Sequence, residues 1–162
     1  MSRNFLIAFS IGLVLIGLLV AGVMFMQRGS AIEFQAKFLK VRTAPLDETS
    51  TVAVVDLRLT NPSDLLLQVR QVQFEMEDAK GTRTFGDVIG EGDTKRVFEA
   101  LPVLGTKFLE TVSMGMRVKA RSTGDYMVAA RFGAPVADVD ARKRFVLRVE
   151  EVDGKSFEFL ER

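Results

Sequence analysis

Carboxylates, bases and hydroxyls are the side chains with which this 162-residue chain could do chemistry, because it contains no His, Cys or Trp. Thiol nucleophiles, imidazole acid–base catalysis, disulfides, haem or iron–sulfur ligation and the usual zinc sets are excluded. Three acids, Asp87, Glu91 and Asp93, stand among Gly86, Gly90 and Gly92. Hard cations bind such oxygens on flexible backbone. The stretch lacks the alternating ligands and terminal Glu of an EF-hand loop, and a solvated turn in which Asp93 caps a short helix accounts for the same residues. As a phosphate cradle Gly90-Glu91-Gly92 fails, since Glu91 repels phosphate and no Lys follows at the P-loop spacing. Paired acids for general acid and base work are expected at outward strand positions, so Glu75, Glu77, Glu150 and Glu151 read as exposed, solvated charges. The run Arg142-Lys143-Arg144 could touch anionic headgroups, but an alternating strand follows it and it reads as a charged strand end. No catalytic residue, cofactor or metal site is expected, and the protein is read as a non-enzyme.

The elements that must position these groups are of two kinds. From Phe5 to Met26 the chain is an apolar run broken only by Ser10 and three glycines, with no charge between Arg3 and Arg28. At about 1.5 Å per residue it reaches roughly 33 Å as a helix, the thickness of a bilayer core. A cleaved signal peptide has a shorter apolar region and a small-x-small site; here Arg28 comes before Gly29-Ser30-Ala31. The expectation is a single uncleaved transmembrane helix within residues 1–30, placing the chain in the inner membrane. Weighting Arg3 over Lys37, Lys40 and Arg42 sends the C-terminal domain to the periplasmic side. The lipid bilayer is then one partner. Ala8 and Gly12, and Gly17 and Ala21, recur four apart, the spacing that admits another helix closely, so transmembrane helices of a larger complex are candidate partners.

Residues 31–162 change period from continuous to two, the mark of strands with one buried face. Ile32, Phe34, Ala36 and Phe38 alternate with polar residues, as do Ala53, Val55, Leu57 and Leu59. The second run stops at Asn61-Pro62-Ser63-Asp64, a corner in which Asn61 can bond nearby backbone and Pro62 cannot donate to a ladder. Leu65, Leu67 and Val69 keep one phase and Val72, Phe74 and Met76 the other, which predicts a bulge near Arg70 and Gln71. Asp78-Ala79-Lys80-Gly81 closes a hairpin to a strand over Thr82 to Ile89. A short helix follows from Thr94 to Ala100, turning Val97, Phe98 and Leu101 to the sheet. Met114, Met116 and Val118 mark a strand, Ser122-Thr123-Gly124-Asp125 a turn, and Tyr126 to Phe132 the return. The last pair, Phe145 to Val149 and Phe157 to Leu160, is joined at Asp153-Gly154. About eight short strands predict an all-β, antiparallel immunoglobulin-like sandwich. Beyond residue 30 lie 20 bases and 21 acids, which gives nucleic acid no electrostatic footprint.

The stretch VAVVDLRLTNPSDLLLQVRQVQFEMEDAKG resembles the immunoglobulin-like domain of the late embryogenesis abundant group 2 proteins, the water stress and hypersensitive response (WHy) domain. Asn61 and Pro62 match that family's corner, and Val69, Val72 and Phe74 the apolar positions after it. The segment Asp93 to Gly105 looks like an insertion typical of bacterial membrane-anchored relatives. The resemblance implies a sandwich with a non-enzymatic, often stress-associated role. Two functions are therefore expected: a non-catalytic binding or protective module at the membrane surface, or an accessory subunit docked into a membrane complex through its helix.

Overall fold

The structure is a computed structural model that describes residues 3–27 and 34–161. It divides into two compact units, Met1–Ile32 and Glu33–Arg162. In the first, Arg3–Gln27 form helix α1. The expected transmembrane anchor, and with it the single-pass inner-membrane placement with a periplasmic domain, is corrected: among the described residues no helix is long and apolar enough to cross a membrane.

The second unit is built on strands β1 (Gln35–Pro45), β2 (Thr51–Asn61), β3 (Leu67–Glu77), β4 (Arg83–Ile89), β5 (Glu110–Thr111), β6 (Arg117–Val118), β7 (Ser122–Phe132), β8 (Arg144–Glu151) and β9 (Ser156–Leu160). Two short helices, α2 (Glu91–Ala100) and α3 (Val136–Asp140), join them. The strands form one sheet in the order β1-β2-β7-β4-β3-β8-β9, with β5 beside β7 and β6 beside β3. Every pair is antiparallel except β5 with β7.

That continuity corrects the expected immunoglobulin-like sandwich to a curled sheet. Its cause is β4, whose first half pairs with β3 up to Gly86 and whose second half pairs with β7 from Asp87. Gly86 sits at the crossing because a Cβ there would lie 2.7 Å from the Phe132 ring. Beneath it Phe74, Phe132 and Phe145 pack together, with ring centroids 4.8 to 5.7 Å apart. These rings tie the two halves of the curl to one core. A second cluster lies on the other face, where Phe98 and Leu104 cover Ala44, Val52, Val54, Met127 and Ala129. This is why β2 is buried on both faces.

The phase change in β3 appears as a register shift between Val69 and Gln71. Gly81 closes the β3–β4 hairpin at a φ of +87°. Three expectations differ. Helix α2 starts after Gly90, three residues earlier than an Asp93 cap would allow, because buried Thr94 bonds back to the Gly90 carbonyl at 2.8 Å. Ser122 to Asp125 are not a turn but the first residues of β7, paired to β2; the reversal lies upstream, where Arg121 has a φ of 49°. Only Arg117 and Val118 of the expected Met114–Val118 strand join the sheet, because Gly115 at φ +85° turns the chain.

Candidate functional site

The largest departure from sequence reasoning concerns the outward carboxylates. Glu75, Glu77 and Glu151 are buried, at 2%, 4% and 3% exposure. The pleat does place Glu75 and Glu77 on the outer face of β3, but register sets Glu77 opposite Arg83 of β4 and Arg144 of β8. Long cationic side chains then lie across the acids. Lys143 Nζ donates to Glu77 at 2.8 Å and Arg144 at 2.9 and 3.0 Å, which lowers the Glu77 pKa. Arg83 and Arg148 both bond Glu158, at 3.2 and 2.7 Å, lowering its pKa in turn. Glu75 lies 3.6 Å from Arg83 and 3.8 Å from Arg148, with Oε1 unbonded. The basic run is absorbed here too, since Arg142 grips Glu161 through two nitrogens at 3.0 and 2.8 Å. These pairings hold four strands together, β3, β4, β8 and β9. Glu151, at the far end of β8, has no such cation bonded to its buried Oε2, and burial raises its pKa, with Asp153 adding to the effect.

The corner is equally well fastened. Asn61 is fully buried; its Nδ2 faces the carbonyls of Leu65, Val118 and Lys119 at 2.8, 3.3 and 3.1 Å, and its Oδ1 accepts from the Ser63 N–H and hydroxyl. Pro62 follows at the exposed end of β2, where no ladder bond is lost. One side chain thus closes the loop between β2 and β3 and fastens it to the segment entering β7. The acids of the glycine-rich loop are not brought together: among the described residues no group of three or more acids could hold a metal. Glu91 instead bonds Lys107 Nζ and the Thr111 N–H, both at 2.7 Å, and its pKa falls to about 2. Of the helix-packing candidates, Gly12 and Gly17 would each accept a Cβ with nothing within 4 Å. Ala21 is exposed, and the side chain of Ala8 lies outside the described residues.

Among the described residues, two surface depressions are larger than the small one beside Arg42 and Asp56. One, of about 430 Å³, lies beside α2 and is lined by Glu91, Lys95, Phe98, Glu99 and Lys107. The other, of about 730 Å³, lies where the curl fails to close, between Ala36, Lys37 and Phe38 of β1 and Glu158, Phe159 and Leu160 of β9. Phe34 spans this seam, edge-on to Phe157 and Phe159 with centroids 5.7 and 5.6 Å away. The seam brings together two sheet edges, an apolar floor and the exposed Lys37.

No family model and no curated protein matches the chain. Among solved structures, the ApaA protein of Bordetella pertussis aligns over 81% of this chain and 89% of its own, at 13% identity and a TM-score of 0.39. An uncharacterised β-sandwich protein of Clostridium difficile aligns over 80% of this chain and 86% of its own, at 10% identity and a TM-score of 0.42.

Nothing local in the sequence announces the seam, because its two sides lie more than a hundred residues apart. Its chemical ingredients, Phe38 and Phe159 at inward positions of alternating strands, are legible; their meeting is a property of the whole sheet.

Proposed function

We propose that this chain is a non-catalytic binding module that holds a partner in the seam between β1 and β9. The observation that carries the reading is the seam itself: two strand edges flank a cleft of about 730 Å³ with Phe38 and Phe159 among its walls, within the size range of ligand sites. Glu77 and Glu158 are engaged as structural ion pairs. The resemblance of the Asn61–Pro62 corner to late embryogenesis abundant group 2 domains supports the same non-enzymatic reading.

Lysine-directed cross-linking of the full chain in its own cells, followed by mass spectrometry, tests it. Lys37 borders the seam, whereas Lys95 and Lys107 border the α2 depression. A partner joined through Lys37, and weakened by Phe38→Asp, is the expected result. Cross-links confined to Lys95 and Lys107 would move binding away from the seam.

A further inference from the structure

The seven strands on the main path alternate in direction at each pairing. Seven is odd, so β1 and β9, at opposite edges, run the same way. They cannot close on one another in the antiparallel pattern that the other six pairings use. One further strand, running opposite to both, is antiparallel to each edge at once, the more stable of the two ladders.

The edge of β9 is ready for it. The Glu161 N–H donates to the Phe145 carbonyl at 2.9 Å, and peptide groups alternate in direction along a strand. Glu158 and Leu160 therefore turn their backbone groups away from β8, and both line the seam. Strand β9 carries no Pro, Lys or bulge of the kind that guards an exposed edge. Strand β1 does: Lys37, Lys40, Pro45 and a register shift between Phe38 and Lys40. The regular part of the β1 edge is thus Gln35–Phe38, four residues beside the five of β9.

Charge and polarity select the occupant. On the inner side Ala36, Phe38 and Phe159 ask for an apolar residue at every second position. On the outer side Lys37 is exposed with no ion pair among the described residues, while Glu158 is already neutralised by Arg83 and Arg148. Cations outnumber anions at that rim. Resting on the seam as the binding site, we propose that its ligand is an extended peptide segment of alternating apolar and acidic residues, which adds antiparallel to the open edge of β9 and lies alongside β1. Backbone bonds to Glu158 and Leu160 supply affinity, and Lys37 supplies selectivity, as in strand-addition recognition generally.

The probe is the capped peptide Glu-Val-Glu-Val-Glu-Val-Glu, titrated into the full chain with heteronuclear NMR and calorimetry. One-to-one binding is expected, with exchange of the Glu158 and Leu160 amides slowed. Leu160→Pro, which removes one outward N–H, should abolish binding, while Leu160→Ala, which keeps it, should bind within a few-fold of wild type. Lys37→Glu should weaken binding by about tenfold, as loss and reversal of a rim charge does, and should favour a Lys-Val repeat instead. Thermal melts check that each variant is folded, and an unfolded Leu160→Pro would be replaced by Glu158→Pro for the same reading. Equal binding by the proline variants, or by a peptide of the same composition with its valines contiguous, overturns the proposal. So does a dimer that forms without peptide and is lost in the proline variants, which would make a second copy the occupant. Failure of the peptide with Lys37 cross-links retained removes the ligand class and leaves the seam; loss of both removes the seam as well.

Discussion

At the scale of single residues, Asn61 carries the most structure per atom. A buried amide whose partners are lost leaves carbonyls unsatisfied, at about 1–3 kcal/mol, so Asn61→Ala should lower the stability of the chain by that amount in denaturant melts. Asn61→Asp should be at least as harmful, because it sets a charge and an acceptor against the carbonyls of Leu65 and Lys119. Glu151 predicts the opposite sign. Its folded pKa stands above the ordinary 4.5, so burying its charge costs stability at neutral pH, and that cost fades as pH falls through the raised value toward 4.5. Glu151→Gln should therefore raise the melting temperature at pH 7 and give little or no gain at pH 4. Asn61 was legible because an Asn-Pro pair ending an alternating strand needs its backbone satisfied locally. The burial of Glu75 and Glu77 was not. Alternation correctly put both on the outer face, but outward means exposed only when neighbouring strands carry short side chains. Here Arg83, Arg144 and Arg148, on strands chosen by register, lie over them.

Among elements, β4 does the least expected thing, leaving one half of the sheet for the other at Gly86. A methyl group there meets Phe132 at 2.7 Å and the Ala130 Cβ at 3.0 Å. Neither can withdraw, since both are fully buried. Gly86→Ala should cost about 1–3 kcal/mol as overpacking, and Phe132→Leu in the same chain should recover part of it by making room; additive losses in a double-mutant cycle would contradict the close approach. Helix α2 makes a second test through pH. The Glu91 carboxylate, at about pKa 2, joins the helix start to Lys107 and Thr111. A lowered folded pKa contributes stability that is complete above the unfolded value near 4.5 and lost as pH falls toward 2. Glu91→Gln should therefore flatten the acid limb of the wild-type stability profile. The β3 bulge and the α2 helix could be read from the chain, because a phase change and a helical run are local signals. The crossing of β4 could not, since period two states which face is buried and not which strand is the neighbour.

For the whole molecule, the curl leaves one uncovered line, and that line gives the sharpest test of the topology. If β9 is an edge whose odd and even residues face opposite ways, its amides should exchange with solvent in alternation. Phe157 and Phe159 pair with Val149 and Leu147 of β8, so their N–H groups should be protected nearly as long as the β8 ladder. Glu158 and Leu160, turned toward the seam, should exchange within the dead time of the experiment, apart from shielding by side chains. Strands β2 and β7 are paired with each other over eleven residues, and their amides in that ladder should exchange only with global unfolding. Uniform protection along β9 would mean that its outer edge is already paired, and the seam would then be a closed joint instead of a binding site. Uniform fast exchange would mean that β9 detaches as a unit, and the ion pairs from Glu158 to Arg83 and Arg148 would have to open with it. The alternating pattern alone follows from a strand fixed on one side and vacant on the other.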